Sequence, residues 1–270
     1  MKLDEEKSKQ QQLALNSWAS NKFTGSIIAG TGFGKSRCGV IAINYVINAL
    51  HRDKALILVP TVQLQDQFRE EFKKWGYDSC LDKVEILCYQ TAYKLVGNHY
   101  DVVICDEIHL GLSKEYRKFF ENNTYDKLLC MTATPPEEIE YQQLLFLLAP
   151  TVYSISLDKC VKLGLVSPYE INCLPIELTF GERLEYDAIN DDFIRHKLAL
   201  EPDAFNFAKA ALKNPSVSSE LKVHAAGFYK AIRERKAIID LAVNKVVAFQ
   251  LLVAENIEKK ILVFSGANKF

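Results

Sequence analysis

A chain of 270 residues, 49% hydrophobic and 25% charged, has the composition of an ordinary globular protein with room for a sizeable core, which excludes a disordered or fibrous chain. The formal net charge of −1 excludes a global basic signature, so any contact with nucleic acid falls to local loops. No secretory core follows Met1, no apolar run reads as long enough to cross a bilayer, and the seven cysteines stand singly without metal-ligand spacing, which together read as a cytoplasmic protein with reduced thiols.

Residues 3–20 read as an amphipathic helix with Leu13, Leu15 and Trp18 facing inward. SIIAG (26–30) is a short apolar run ending in glycine; the loop GTGFGKS follows, then a helix over 35–51. ALILVP (55–60) reads as a buried strand, and 62–75 as a helix with Leu64, Phe68 and Phe72 at helical spacing. VEILCY (84–89), DVVICDE (101–107) and KLLCMTAT (127–134) are further apolar runs, in which Cys88, Cys105 and Cys130 behave as small hydrophobes. Near-continuous hydrophobic strands separated by helices indicate an α/β fold whose parallel sheet is covered on both faces. From about Pro168 the texture changes. YEINCLPIEL (169–178) alternates like a half-exposed strand, and 181–257 reads as largely helical with breaks near Pro202 and at Asn214-Pro215. KILVF (260–264) then starts a new strand.

AGTGFGKS (29–36) follows a strand and precedes a helix, the context of a phosphate-binding loop. Gly30, Gly32 and Gly34, interleaved with Ala29, Thr31 and Phe33, let backbone N–H groups approach phosphate oxygens at a helix N-terminus. Lys35 would reach the β- and γ-phosphates, and Ser36 would place its hydroxyl on Mg2+. Alone, this loop leaves a purely structural strand-to-helix turn open. DVVICDEIHLG (101–111) adds two carboxylates, Asp106 and Glu107, at the C-terminal edge of a buried strand, where ligands bind in open α/β sheets. Asp106 suits a direct or water-mediated hold on Mg2+, and Glu107 a base or orienter for water attacking the γ-phosphate. A solvated acidic turn is the plainer reading of that pair.

In this order the segments resemble superfamily 2 helicases and translocases of the DEAD/DEAH type. AGTGFGKS is similar to motif I, DEIH (Asp106 to His109) to motif II, and CMTATPP (130–136) to motif III. The resemblance implies a RecA-like P-loop NTPase lobe that binds ATP and Mg2+, with His109 linked to motif III through Thr132 or Thr134. VPTVQLQDQF (59–68) is similar to motif Ia and ILCYQTA (86–92) to motif Ib, which implies nucleic-acid contacts from Pro60, Thr61, Gln67, Tyr89 and Gln90. Cys88 stands where relatives usually have Thr. Gln11, ahead of Ala14, Leu15 and Trp18, has the spacing of the adenine-reading Q motif, with Gln10 and Gln12 as flanking candidates.

LDKCVKLGLVSPYEI (157–171) resembles the segment that leaves the first lobe in the branch near restriction-enzyme motor subunits and phage branch-migration helicases. The implied organisation is a first lobe over 1–166, a mainly helical linker or insert over 167–258, and the start of a second RecA-like lobe over 259–270. On that reading the chain is the N-terminal portion of a motor, binding nucleic acid (DNA favoured over RNA) and turning over little ATP until a second lobe is supplied in cis or in trans. A motor module of a restriction or remodelling complex, and a non-catalytic nucleotide-binding module, are the alternatives.

Overall fold

The computed structural model describes residues 2–200 and 202–265. The chain divides into two units, Met1–Glu170 and Ile171–Phe270, each taken by itself below.

In the first unit the strands are β1 (Thr24–Ala29), β2 (Ala55–Val59), β3 (Val84–Cys88), β4 (His99–Tyr100), β5 (Val102–Asp106), β6 (Thr124–Tyr125), β7 (Leu128–Thr132) and β8 (Thr151–Ile155). Six of them make one sheet in the order β3-β2-β5-β7-β1-β8, with every neighbouring pair parallel. β4 and β6 pair separately. The helices are α1 (Lys2–Ser20), α2 (Lys35–Asn44), α3 (Val62–Lys74), α4 (Tyr89–Ala92), α5 (Ile108–Gly111), α6 (Lys118–Asn122), α7 (Ile139–Leu148) and α8 (Leu157–Lys162).

The two-residue period of a strand decides which helices pack where. Ile57, Val59, Ile104, Leu129 and Met131 point to one face, where Ala14, Trp18, Val40, Phe68 and Phe72 of α1 to α3 cover them. Leu56, Leu58, Val103, Cys105, Leu128 and Cys130 point to the other, against Tyr89, Ile108, Phe119 and Leu145 of α4 to α7. Every residue of β2, β5 and β7 is buried, each large side chain contributing roughly 1.5–3 kcal/mol. This is the covered parallel sheet expected of a RecA-like lobe.

Two local expectations need correction, and two small features went unread. Leu13 is 46% exposed: α1 turns Gln11, Ala14, Leu15 and Trp18 inward, an i, i+3, i+4, i+7 stripe. The Trp18 indole N–H donates to the Leu128 carbonyl at 2.9 Å and fixes that rotation. The helix expected over 35–51 is α-helical only to Asn44 and continues as a π-helical turn, Tyr45–Ala49. The edge strand β8 and the β4–β6 pair had no strong sequence signal, being partly exposed or two residues long.

The second unit contains α9 (Phe180–Leu198), α10 (Ala204–Ala211), α11 (Ser219–Asp240) and α12 (Val243–Glu255). Thr179 opens α9 with a capping box, its hydroxyl accepting from the Glu182 N–H while the Glu182 carboxylate accepts from the Thr179 N–H. Leu200, Ala204, Ala208, Ala211, Ala225 and Phe228 form its core, and Phe193 stacks on Phe228 with centroids 5.2 Å apart. The helix breaks fall near Pro202 and at Asn214-Pro215, as expected. The two strands expected in this unit are absent among the described residues: 171–179 and 260–265 adopt neither helix nor strand. A strand needs a sheet edge to satisfy its backbone, and the described part of this unit offers none. Residues 266–270, the end of the expected second-lobe start, lie outside the described residues.

The expectation of no membrane-length apolar run meets one exception, by length and composition alone. The stretch Ser219–Glu255 is long and apolar enough to cross a membrane by length and composition. Here it is divided into α11 and α12 by a break at Leu241–Ala242.

Candidate nucleotide site

The loop from Gly30 to Gly34 joins β1 to α2 at the C-terminal edge of the sheet. Gly32 and Gly34 both have φ +88°, the left-handed region that glycine enters without steric cost. Gly34 occupies the N-cap of α2, so the loop ends where unpaired backbone N–H groups gather. Beneath it Phe33 is fully buried and packs at 5.9 Å from Tyr153, which pins the loop to β8.

Lys35 extends back along the loop. Its ammonium donates to the Ala29 carbonyl at 3.0 Å and lies 3.8 Å from Glu107 Oε1, with only 10% of the side chain exposed. Asp106 ends β5, is 7% exposed and faces the same cavity as Ser36 and Lys35. Burial, then the negative charge of Glu107, pushes the Asp106 carboxyl up to about 6, against partial relief from Lys35. Glu107 sits at φ +47°, rare for a non-glycine residue and an observed strain at this edge.

Behind Glu107 a hydroxyl acts as a hub. Thr132, fully buried at the end of β7, lies 3.0 Å from Glu107 Oε2 and 2.8 Å from the Thr134 carbonyl, the two acceptors for its single proton. Its oxygen accepts from the Thr134 N–H at 3.2 Å. His109 Nδ1 is 2.9 Å from the Thr132 hydroxyl and 3.5 Å from Glu107 Oε2, so the tautomer with the proton on Nδ1 satisfies both. Of the two threonines considered as partners of His109, Thr132 is the one; Thr134 joins through its backbone.

Gln11 is the member of the glutamine run at the site. It is 1% exposed, and its amide donates to the carbonyls of Phe33 (2.8 Å) and Gly34 (3.4 Å). Gln10 instead accepts from the Tyr153 hydroxyl, and Gln12 pairs with Asn16 on the surface. The loop, Lys35, Ser36, Asp106, Glu107 and Gln11 line a single cavity of 620 Å³, within the roughly 300–1,000 Å³ of small-molecule sites.

The family model described as type III restriction enzyme, res subunit (ResIII), matches residues 5–87 and 78–137, which carry Gln11, the glycine loop, Lys35, Ser36, Asp106, Glu107, His109 and Thr132. Residues 5–137 are similar to the ResIII family, whose members are of the superfamily 2 helicase type. No curated protein sequence matches the chain. Among solved structures, the chain is similar to the Hef helicase domain of Pyrococcus furiosus, with 16% identity and a TM-score of 0.48 over 85% of this chain and 60% of that one. It is also similar to the UvsW helicase of bacteriophage T4 (15%, TM-score 0.44, 54% and 58%). A third is the Sulfolobus solfataricus SWI2/SNF2 ATPase core in complex with dsDNA (12%, TM-score 0.41, 93% and 63%). The chain spans less than two thirds of the length of each.

The residues expected to touch nucleic acid are only partly gathered in this unit. Pro60 and Thr61 lie at the end of β2, with Thr61 exposed at the N-cap of α3, and the Gln90 amide donates to the Pro60 carbonyl at 3.4 Å. Two members fall elsewhere. Tyr89 is 1% exposed and donates its hydroxyl to the Asp106 carbonyl at 2.9 Å, so it braces the acidic loop from below and offers nothing to a strand outside. Gln67 lies one to two turns along α3 and lines the cavity at the glycine loop instead. Cys88 is buried and accepts from the Gln65 amide at 3.2 Å. Arg37, Glu71 and Trp75, which sequence reasoning passed over, also line the cavity; an aromatic at a helix end carried no signal by itself.

Proposed function

We propose that residues 1–166 are the ATP-binding lobe of a nucleic-acid-dependent ATPase, a helicase or double-strand DNA translocase, using ATP and Mg2+. The observation that carries this reading is the convergence of Lys35, Ser36, Asp106 and Glu107 on one cavity beneath a glycine loop, with Lys35 and Glu107 3.8 Å apart. The oxygen donors fit a hard divalent cation: the Ser36 hydroxyl and the buried Asp106 carboxylate are ligands that Mg2+ accepts. When bound, Mg2+ neutralises charge on the β- and γ-phosphate oxygens. Lys35 binds those phosphates, exchanging its present carbonyl and carboxylate partners for them. Glu107, steadied by Thr132, orients the attacking water and takes its proton.

Pro60, Thr61 and Gln90, on one exposed edge, are the proposed contacts to the nucleic-acid backbone, with DNA favoured by the branch that the sequence resembles. The linker or insert is 167–258, and residues from 259 lead towards a second lobe. That lobe, in cis or in trans, brings the arginine such motors use, worth on the order of 10³–10⁵ in turnover, so the chain by itself is slow. A motor module of a restriction complex is the second reading, favoured by the ResIII match. A non-catalytic module is disfavoured because Lys35, Asp106 and Glu107 are all intact.

Lys35→Ala tests the reading. ATP affinity falls at least about tenfold, the loss of one charged phosphate contact, in isothermal titration. Undiminished ATP affinity in that variant would contradict it.

A further inference from the structure

The resemblance gives base reading to Gln11, yet both ends of its amide are already in use. Its nitrogen serves the Phe33 and Gly34 carbonyls, and its oxygen accepts from Arg37 Nη1 at 2.9 Å. A residue with 1% exposure and both ends of its amide engaged within the protein braces the loop. Another part of the cavity has to meet the base.

At the α3 side of the same cavity stand Arg37, Glu71 and Trp75. The Arg37 guanidinium carbon lies 3.9 Å from the centre of the Trp75 ring. The Trp75 indole N–H donates to Glu71 Oε2 at 2.7 Å, which fixes the ring plane along α3. Arg37 is held by Ser8 Oγ and Gln11 Oε1, both at 2.9 Å, while its Nε is buried and has no hydrogen-bond partner. An unpartnered buried donor is costly, and an incoming acceptor relieves it. A fixed indole with a planar cation over it offers π faces to a flat heteroaromatic, and the Nε–H offers one donor to a ring nitrogen or carbonyl. Purine bases have that chemistry, and the same cavity already holds the phosphate end.

We propose that Arg37 and Trp75 form the base subsite of the nucleotide, with Gln11 as a positioning residue that aims Arg37. This rests on the nucleotide-binding reading above and adds where the base is held. The test is isothermal titration of the full chain with ATP and with inorganic tripolyphosphate, both with Mg2+. Wild type binds ATP about tenfold more tightly than tripolyphosphate, the size of one stacking contact. Trp75→Ala brings ATP down to the tripolyphosphate value and leaves tripolyphosphate unchanged. Equal affinity of wild type for the two ligands would overturn the proposal without any variant, as would a Trp75→Ala protein that binds ATP as wild type does. Failure of wild type to bind either ligand would overturn the nucleotide-site reading itself.

Discussion

Asp106 and Thr132 carry opposite kinds of energetic consequence. The Asp106 carboxyl, raised to about 6 by burial and by Glu107, holds its proton more tightly folded than unfolded. Its contribution therefore favours folding below about pH 4 and opposes it as pH rises through about 6. Asp106→Asn should raise stability at pH 7 by on the order of 2 kcal/mol, the gain fading towards pH 4, when thermal unfolding is followed across that range. A constant or reversed difference would contradict the assignment. On the proposed function, the same titration should weaken ATP–Mg2+ binding below about pH 6, read by isothermal titration across that range, because protons compete for the carboxylate. Thr132 is stabilising instead: Thr132→Val removes the hub between His109, Glu107 and Thr134, costing about 1–3 kcal/mol. It should also reduce stimulation of turnover by nucleic acid while ATP affinity stays put, a split visible by comparing turnover with titration. Short spacings after apolar strands pointed to Lys35, Asp106 and Glu107, which line one cavity, whereas His109 was singled out only by the resemblance to motif II. The places of Tyr89 and Gln67 were not legible in the sequence. A hydroxyl reaching across from residue 89 to the carbonyl of residue 106, and a helical turn that points Gln67 at the cavity, depend on packing between distant segments.

The phosphate loop is an element whose shape admits little variation. Gly34 at φ +88° is a conformation that L side chains rarely adopt, and an added Cβ would collide with the Gln11 amide. Gly34→Ala should cost about 1–3 kcal/mol in denaturant unfolding and abolish detectable ATP binding; an unaffected variant would show that the loop is not held as described. Buried parallel strands were readable because continuous apolar runs such as ALILV and VVICD have no other comfortable environment. Their alternation assigned each residue to one of the two helical layers. β8 was missed because TVYSI is an edge strand, half exposed and without an apolar run. YEINCLPIEL and KILVF failed in the reverse direction: strand-like composition forms a strand only where an edge receives it.

At the scale of the molecule, the first unit holds the complete cavity, and residues 171–179 form an extended, mostly exposed segment at the start of the second. Ile171 is 78% and Leu174 57% exposed. Limited proteolysis should cut this segment first and leave a fragment close to 1–170; first cleavage inside α2 or α3 would contradict the division. A net charge of −1 supplies no basic field over the whole chain, so nucleic-acid binding through the uncharged Pro60, Thr61 and Gln90 should show only a shallow dependence on salt. The central claim concerns turnover. The most direct measurement is ATP hydrolysis by wild type and Glu107→Gln, with and without double-stranded DNA. Wild type should hydrolyse ATP slowly and faster with DNA, and Glu107→Gln should lose about 10²-fold or more with ATP binding retained. Equal hydrolysis by the two proteins would contradict that claim.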